Sequence, residues 1–161
     1  MHENHDREQY FFDPETAERL ADLLSRFERP CCLCAPTVGR ALAARGRRAA
    51  VLDVDDRFSG DPGFRRWDLY RPEPLEESFD ALLCDPPFFN VKLSQLFKAV
   101  RLLLQFDVRR PLFVTYLRRR SKALLGTFAP FELQPTGLRM SYVTVQEVEK
   151  NAIELYANVP I

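Results

Sequence analysis

The sequence predicts an α/β domain that is doubly wound, with a mostly parallel sheet and a C-terminal antiparallel hairpin. Short apolar runs with strand character alternate along the chain with segments whose apolar residues recur at helical spacing, and this alternation is typical of parallel βαβ units. The last two apolar runs resemble a hairpin. A length of 161 residues and an apolar content of 46% suit one domain with one core. We therefore expect a flexible tail over residues 1–8 and a single domain over residues 9–161.

The first helix has clear start and stop signals. Asp13 suits the N-cap position, Pro14 suits the first helical position, and Pro30 is a stop. One apolar stripe lies between them at helical spacing and consists of Ala17, Leu20, Leu23, Leu24 and Phe27. The stripe predicts an amphipathic helix that packs on the core.

The elements that follow alternate in the same way. Up to the middle of the chain they are a strand at 31–35, a short helix at 38–45 closed by Gly46, a strand at 49–54 and a short strand at 67–70. A fourth strand at 79–84 precedes a helix with the stripe Leu93, Leu96, Phe97, Val100 and Leu103. A fifth strand at 111–117, a turn at 126–130 and late strands at 131–133, 140–145 and 153–159 complete the prediction.

The tetrad Asp85-Pro86-Pro87-Phe88 follows the fourth strand directly. An exocyclic amine such as N6 of adenine is a poor nucleophile, because its lone pair is delocalised into the ring. An enzyme must therefore hold both amine hydrogens, for which Asp85 offers a carboxylate and Pro86 a backbone carbonyl in a turn that two prolines stiffen. Phe88 offers a flat face on which a base can stack. The tetrad is typical of an amino-group methyltransferase site, and a strand-ending proline turn is the alternative.

Other segments, in a fixed order, identify a family. Gln9-Tyr10-Phe11-Phe12 stands before the first helix, Pro36-Thr37 after the first strand, and an acidic run at 52–58 ahead of the tetrad. In this combination the chain resembles the probable N6-adenine methyltransferase family, from about residue 9 to residue 160. The resemblance implies a Rossmann-like class I S-adenosylmethionine-dependent methyltransferase fold, with S-adenosylmethionine as cofactor.

The resemblance also implies a substrate. We expect an N-methyltransferase that acts on adenine N6 in RNA or DNA, with RNA favoured. The family includes a lysine methyltransferase of a translation elongation factor, so a protein lysine N-methyltransferase is the alternative. A second alternative is a methyltransferase-like binding module without catalysis.

Ligands of doubly wound folds bind at the carboxyl ends of the strands, where the strand order reverses. The candidates for cofactor binding lie in the loops after the first three strands and are Pro36, Thr37, Gly39, Asp53, Asp55 and Asp68. The first loop is expected beside the amino-acid part of the cofactor. Asp53 is expected to accept from ribose hydroxyls and Asp68 from the adenine amine, with a surface turn as the alternative for Asp68.

The remaining tetrad neighbours and a basic run are candidates for substrate binding. Catalysis is assigned to Asp85, Pro86, Pro87 and Phe88, and substrate binding to Tyr10, Phe89, Arg118, Arg119 and Arg120. Tyr10, with Gln9, suits a lid over the site, or else a staple at the start of the first helix. The basic run, residues 118–122, suits contacts with phosphates, or else a solvated helix start. Arg57 suits a clasp that fixes neighbouring carboxylates.

Charge and cysteine content limit the other possibilities. The formal net charge is zero, so nucleic-acid binding requires a local basic patch. Three of the four cysteines, Cys31, Cys32 and Cys34, share one short apolar run with Cys84 apart from them, which favours buried thiols over a metal site or disulfides. There is no long uninterrupted apolar run and residues 1–9 are charged and polar, so we expect a cytoplasmic protein without a membrane span.

Overall fold

The computed structural model describes residues 1–145 and 148–161. Within this part of the chain the strands are β1 (Pro30–Leu33), β2 (Ala50–Asp53), β3 (Phe64–Arg66), β4 (Ala81–Cys84), β5 (Leu112–Leu117), β6 (Gln134–Arg139) and β7 (Ile153–Ala157). The α-helices are α1 (Pro14–Leu24), α2 (Pro36–Ala44), α3 (Leu93–Leu103) and α4 (Ser121–Thr127). Short 3₁₀ turns lie at His5–Arg7, Asp56–Phe58, Arg118–Arg120, Ala129–Phe131 and Glu149–Asn151.

The strands form one sheet in the order β3-β2-β1-β4-β5-β7-β6. The first five of these are parallel, and β7 is antiparallel to both β5 and β6. The predicted doubly wound order and the C-terminal antiparallel hairpin are thereby confirmed. The order reverses between β1 and β4, where Leu33 is in register with both Leu52 and Cys84. The residues that follow these strands therefore meet at the carboxyl-terminal end of the sheet.

The helices begin and end largely where the sequence signals place them. Asp13 caps α1 by accepting from the backbone N–H of Thr16 at 2.8 Å, and Pro14 is its first residue. Gly46 follows α2 with φ 70°, a left-handed conformation that glycine adopts without strain. Helix α1 packs on α2, and α3 packs on α4. Within the described residues, we find no helix with both the length and the apolar character to span a membrane.

The third strand begins earlier than predicted. It is Phe64–Arg66, and the strand predicted at 67–70 is wrong. Gly63 immediately precedes the strand with φ +77°, and a Cβ there would lie 2.0 Å from the carbonyl oxygen of Ala49, so only glycine fits. Trp67 suggested a strand because it is apolar, but it is buried in the core after the strand has ended.

The late strands also differ from the prediction. Neither 131–133 nor 140–145 is a strand, and the single strand Gln134–Arg139 lies between them. It forms the edge of the sheet and its side chains are mostly exposed, so it lacks the apolar pattern on which the prediction relied. Tyr142 instead forms an isolated antiparallel bridge with Phe12. The predicted strand at 153–159 is confirmed as β7 over Ile153–Ala157.

Candidate active site

A cavity of about 820 Å³ lies at the carboxyl ends of β1, β2 and β4. Its size is typical of sites for small molecules and cofactors. The predicted site residues that line it are Tyr10, Pro36, Asp53, Asp55, Asp68, Asp85 and Pro87. The strand order therefore brings together residues from four separate loops, as expected from the switch in strand order.

The N-terminal segment, residues 2–9, covers this cavity. Most of these residues, which lie in and beside the predicted tail, line the cavity. Asp55 accepts from Nε2 of Gln9 and from Nη2 of Arg57, both at 2.7 Å. Arg57 also donates to the carbonyl oxygen of His2 at 2.6 Å. Arg57 thus acts as the clasp that its side chain suggested, and it fixes the N-terminal segment.

Asp55 was a candidate for cofactor binding, but its carboxylate is engaged in this clasp. The hydrogen bond from Arg57 lowers the pKa of Asp55 to about 2, with a further contribution from Gln9. An ionised carboxylate with these partners stabilises the segment over the cavity.

Asp53, at the end of β2, is mostly buried and lines the cavity. Its Oδ1 accepts from the backbone N–H of Asp55 at 3.0 Å. Burial raises the pKa of Asp53, and backbone N–H groups partly offset this effect. An acceptor at this position is suited to hydroxyl groups.

The loop after β1 contains a strained residue that the sequence did not indicate. Cys34 lines the cavity with φ 58°, in the left-handed region that non-glycine residues seldom occupy. It is held there by its backbone N–H, which donates to the carbonyl oxygen of Leu52 at 2.9 Å. Burial raises the pKa of the Cys34 thiol well above its usual range. Cys34 therefore occupies the loop as a neutral thiol in a backbone conformation typical of glycine.

Two cofactor candidates of the same loop are placed differently. Gly39, expected beside the cofactor, packs against Val51, where a Cβ would lie 2.4 Å from Cγ2. Its role is close packing of α2 on β2, because a larger residue would clash. Thr37, half-buried in the first turn of α2, is one residue beyond the cavity-lining Pro36.

Asp68 lies in the loop after β3, where it makes a turn contact and faces the cavity. Its Oδ1 accepts from the backbone N–H of Tyr70 at 2.9 Å, which is a turn contact, and its side chain also lines the cavity. Tyr70 is exposed and lines the cavity beside it.

The carboxylate of Asp85 has two hydroxyl partners from distant segments. Thr115 on β5 donates to Oδ1 at 2.5 Å, and Tyr142 donates to the same oxygen at 2.8 Å. In the part of the chain that the structure describes, no donor bonds to Oδ2. The loop itself is anchored because the backbone N–H of Asp85 donates to the carbonyl oxygen of Leu33 at 3.1 Å. The two hydrogen bonds to Oδ1 thus fix the carboxylate and leave Oδ2 available to a ligand.

Burial raises the pKa of Asp85 to about 7, although the hydrogen bonds from Thr115 and Tyr142 act in the opposite direction. The charge of Asp53 raises this pKa further. The ionised form is therefore less favourable here than in water, and a nearby cation would stabilise it.

This raised pKa predicts how Asp85→Asn changes stability with pH. The folded state keeps the Asp85 proton from about pH 4 to about pH 7 while the unfolded chain has lost it, so the wild type loses stability as pH rises through this window. Asn cannot ionise and still accepts from both hydroxyls. We expect the variant to match the wild type near pH 4 and to exceed its free energy of unfolding by on the order of 2–4 kcal/mol at pH 8.

Urea denaturation at pH 4 to 8 measures this difference. Asp56→Asn is the matched control, because the Asp56 side chain is exposed. A constant difference between Asp85→Asn and the wild type over this range would contradict the raised pKa.

A second cavity, of about 360 Å³, adjoins the first. Tyr10 and His5 line both cavities, and their rings are stacked with centroids 4.8 Å apart. Phe88, Phe89 and Tyr142 contribute further aromatic rings to the second cavity. The Tyr142 hydroxyl also donates a hydrogen bond to Asp85, so one residue that lines the second cavity contacts the Asp85 carboxylate.

The two phenylalanines after the prolines have different environments. Phe88, expected to stack on a base, is buried to 7% exposure and packs edge-on against Tyr116, with ring centroids 5.9 Å apart. Phe89 is 62% exposed, and the guanidinium carbon of Arg119 lies 5.7 Å from its ring centre. The freely accessible stacking face therefore belongs to Phe89. Pro86 is buried, whereas Pro87 lines the first cavity.

The basic run is less available than the sequence suggested. Nε of Arg118 lies 3.1 Å from Oε1 of Glu154, and Glu149 is also near it. Arg120 donates to the carbonyl oxygen of Phe88 at 3.0 Å and so supports the tetrad loop. Of the three arginines, Arg119 alone contacts an exposed ring and no carboxylate among the described residues.

The cysteines are free thiols, and burial raises the pKa of Cys31, Cys32 and Cys84. Within residues 1–145 and 148–161, no group of three or more His, Cys, Asp or Glu side chains is arranged to hold a metal ion. The site is therefore one of carboxylates, hydroxyls and aromatic rings.

A doubly wound sheet with this antiparallel end, and with acidic residues after β2 and β4, defines a class I S-adenosylmethionine-dependent methyltransferase fold. Solved structures of that class are similar to the chain. The N-methyltransferase NodS from Bradyrhizobium japonicum with bound S-adenosyl-L-homocysteine is 14% identical, with a TM-score of 0.61 over 94% of this chain and 89% of that one.

Two further structures agree with this fold. Magnesium protoporphyrin IX methyltransferase from Synechocystis with bound S-adenosylmethionine is 12% identical, with a TM-score of 0.59 over 89% of this chain and 77% of that one. An S-adenosylmethionine-dependent methyltransferase from Clostridium acetobutylicum is 7% identical, with a TM-score of 0.64 over 92% of both chains. At such identities the likeness establishes the fold.

The family model of the probable N6-adenine methyltransferases matches residues 3–160, and the chain belongs to that family. The family predicted from the sequence is thereby confirmed. A comparison with curated proteins finds no match.

Proposed function

We propose that the protein transfers a methyl group from S-adenosylmethionine to the exocyclic N6 amine of adenine in a nucleic acid, with RNA favoured over DNA. The observation that carries this proposal is the carboxylate of Asp85, with one oxygen fixed by two hydroxyls and the other open. Asp85 lines the cavity of cofactor size, and its hydrogen-bond partner Tyr142 lines the cavity with the aromatic rings. Membership of the probable N6-adenine methyltransferase family supports the same substrate.

The residues of the first cavity fit the cofactor. Asp53 provides an acceptor for ribose hydroxyls, and Asp68 provides one for an adenine amine. Cys34 and Pro36 border the region for the amino-acid part. When bound, S-adenosylmethionine supplies an electrophilic methyl group on a positively charged sulfur, and the carboxylates of the cavity complement that charge.

Asp85 and the surrounding rings would prepare the acceptor amine. Asp85 accepts an N–H from the amine and turns the nitrogen lone pair toward the methyl carbon, with the Pro86 carbonyl as a second acceptor. Phe89 and Tyr10 hold the base by stacking. Positioning of this kind can lower a barrier by several kcal/mol, because it replaces a random encounter by a fixed geometry.

Asp85 would also take up a proton. The nitrogen would form a bond to the methyl carbon, while the electron pair of the broken carbon–sulfur bond stays on sulfur. The nitrogen then carries a positive charge and must lose a proton. A carboxylate with a pKa of about 7 is a stronger base than an ordinary aspartate. Asp85 can accept this proton and pass it to water.

Arg119 is the part of the basic run that can contact a polynucleotide, because its two neighbours are engaged with the protein. We expect Arg119→Ala to flatten the dependence of RNA binding on salt, by a log–log slope of roughly 0.7 for one lost phosphate contact on single strands. Fluorescence anisotropy with single-stranded RNA at several salt concentrations measures the slope. The control is Arg48→Ala, because Arg48 is exposed and precedes β2 at the amino-terminal end of the sheet, away from the cavity. Equal slopes for wild type and Arg119→Ala would remove this residue from the RNA surface.

A protein lysine is the second candidate substrate, and the engaged state of Arg118 and Arg120 favours it. A chain of zero formal charge has no excess of positive charge to attract phosphates, and the same carboxylate can orient an amine on an aliphatic stem.

Methyl-labelled S-adenosylmethionine and a cell lysate distinguish the two candidates. Label that only nuclease releases supports the nucleic-acid substrate, whereas label that only protease releases would contradict it. If neither fraction is labelled, the protein is a binding module without methyl transfer.

A further inference from the structure

Glu8 connects the N-terminal segment to the loop of the tetrad. It lines the first cavity, and its Oε2 accepts from the backbone N–H of Phe89 at 3.0 Å. The clasp of Asp55, Arg57 and Gln9 holds the neighbouring residue in place. Glu8 is therefore a carboxylate fixed at the junction between the cofactor cavity and the acceptor loop.

The backbone at Glu8 is strained. It adopts φ 53° and ψ 36°, a left-handed conformation that is unfavourable for a residue other than glycine. Glu8 holds this conformation as the C-terminal cap of the 3₁₀ turn His5–Arg7. At Glu8 it directs an acidic side chain to the loop that follows the tetrad.

One oxygen of this carboxylate has no partner. Oε1 of Glu8 is buried and accepts no hydrogen bond from any described residue, and the hydroxyl of Tyr116 nearby is in the same state. The charge of Glu8 contributes to the raised pKa of both Tyr116 and Tyr70, after the larger effect of burial. Buried polar atoms without partners are rare in native proteins. Because a carboxylate oxygen can only accept, the missing partner of Glu8 is a donor.

We propose that Glu8 is a further substrate-binding residue, whose free Oε1 accepts one N–H of the methyl-accepting amine. This inference rests on the proposed transfer to an amine. A primary amine has two hydrogens, and the site has two carboxylate oxygens without a described donor, Oδ2 of Asp85 and Oε1 of Glu8. Glu8 lines the cavity, and because a primary amine has only two hydrogens, Glu8 would accept the second one in place of the Pro86 carbonyl.

Glu8→Gln separates this role from a purely structural one. The carbonyl oxygen of Gln can still accept from the backbone N–H of Phe89, but its NH₂ group would replace the free acceptor by a donor. We expect kcat/KM for the acceptor to fall about tenfold to 100-fold, as for Glu8→Ala, while the Kd for S-adenosyl-L-homocysteine stays within about twofold of the wild type.

The matched control is Glu132→Gln. Glu132 also has a left-handed backbone, with φ 57°, but it is exposed and follows a 3₁₀ turn beyond α4. Rates are measured with methyl-labelled S-adenosylmethionine and total RNA, or total protein if the wild type labels protein instead. Calorimetry measures binding of S-adenosyl-L-homocysteine.

A normal rate in Glu8→Gln, with a defect only in Glu8→Ala, would show that Glu8 merely supports the loop, and would overturn the inference. Weaker binding of S-adenosyl-L-homocysteine with an unchanged KM for the acceptor would place Glu8 at the cofactor and also overturn it. No transfer by the wild type to either pool would contradict the proposed function itself, and this inference with it.

Discussion

Asp85→Ala is expected to reduce methyl transfer by roughly 100-fold or more, because a preorganised charge at the reacting group is lost. Cofactor binding should remain close to that of the wild type, since the carboxylate acts on the acceptor amine. The loss is expected in kcat as well as in kcat/KM, because the interaction orients the amine for transfer. Transfer of methyl label under saturating S-adenosylmethionine measures the effect.

The folded state of this variant needs a separate check. Removal of the carboxylate leaves the Tyr142 hydroxyl without its acceptor, and Thr115 keeps only the carbonyl oxygen of Cys84 at 3.4 Å. An unsatisfied buried group costs about 1–3 kcal/mol. Asp80→Ala is a suitable control, because Asp80 precedes β4 at the amino-terminal end of the strand and also accepts two hydrogen bonds. Transfer by folded Asp85→Ala at the wild-type rate would place the chemistry elsewhere.

Asp53→Ala should weaken binding of S-adenosylmethionine by about 1.5–3 kcal/mol, the value of a hydrogen bond to a charged acceptor. This corresponds to an increase in Kd of roughly 10-fold to 150-fold. The reason is that Asp53 is a cavity-lining carboxylate whose Oδ1 is oriented by a backbone N–H.

Calorimetry with the cofactor measures the change, and Asp56→Ala serves as the control because Asp56 lies just beyond the strand with an exposed side chain. An unchanged Kd in Asp53→Ala would mean that the ribose lies elsewhere in the cavity.

The sequence predicted those parts of the fold that local patterns encode. The buried strands β1, β2, β4, β5 and β7, the cap at Asp13 and the tetrad after β4 depend on neighbouring residues only, and the structure has them where the patterns place them. The edge strand Gln134–Arg139 was missed because its exposed polar side chains carry no strand pattern. Pairing with β7 stabilises it instead.

The parts of the site that the sequence did not reveal depend on contacts between distant segments. Thr115 and Tyr142 meet Asp85 from 30 and 57 residues away, and no local spacing connects them. Arg118 and Glu154, which form an ion pair, are also far apart in the chain. The run of arginines therefore suggested a free basic surface, whereas the folded chain pairs Arg118 with carboxylates and uses Arg120 to support the tetrad loop.

The identity of the methylated atom tests the central claim most directly. RNA is incubated with the protein and S-adenosylmethionine that carries a deuterated methyl group, and its nucleosides are then analysed by mass spectrometry. The proposed site predicts deuterated N6-methyladenosine with the wild type and a large reduction with Asp85→Ala. Deuterated methyl on a ring nitrogen, a carbon or a ribose oxygen, or on protein alone, would contradict transfer to the N6 amine of adenine.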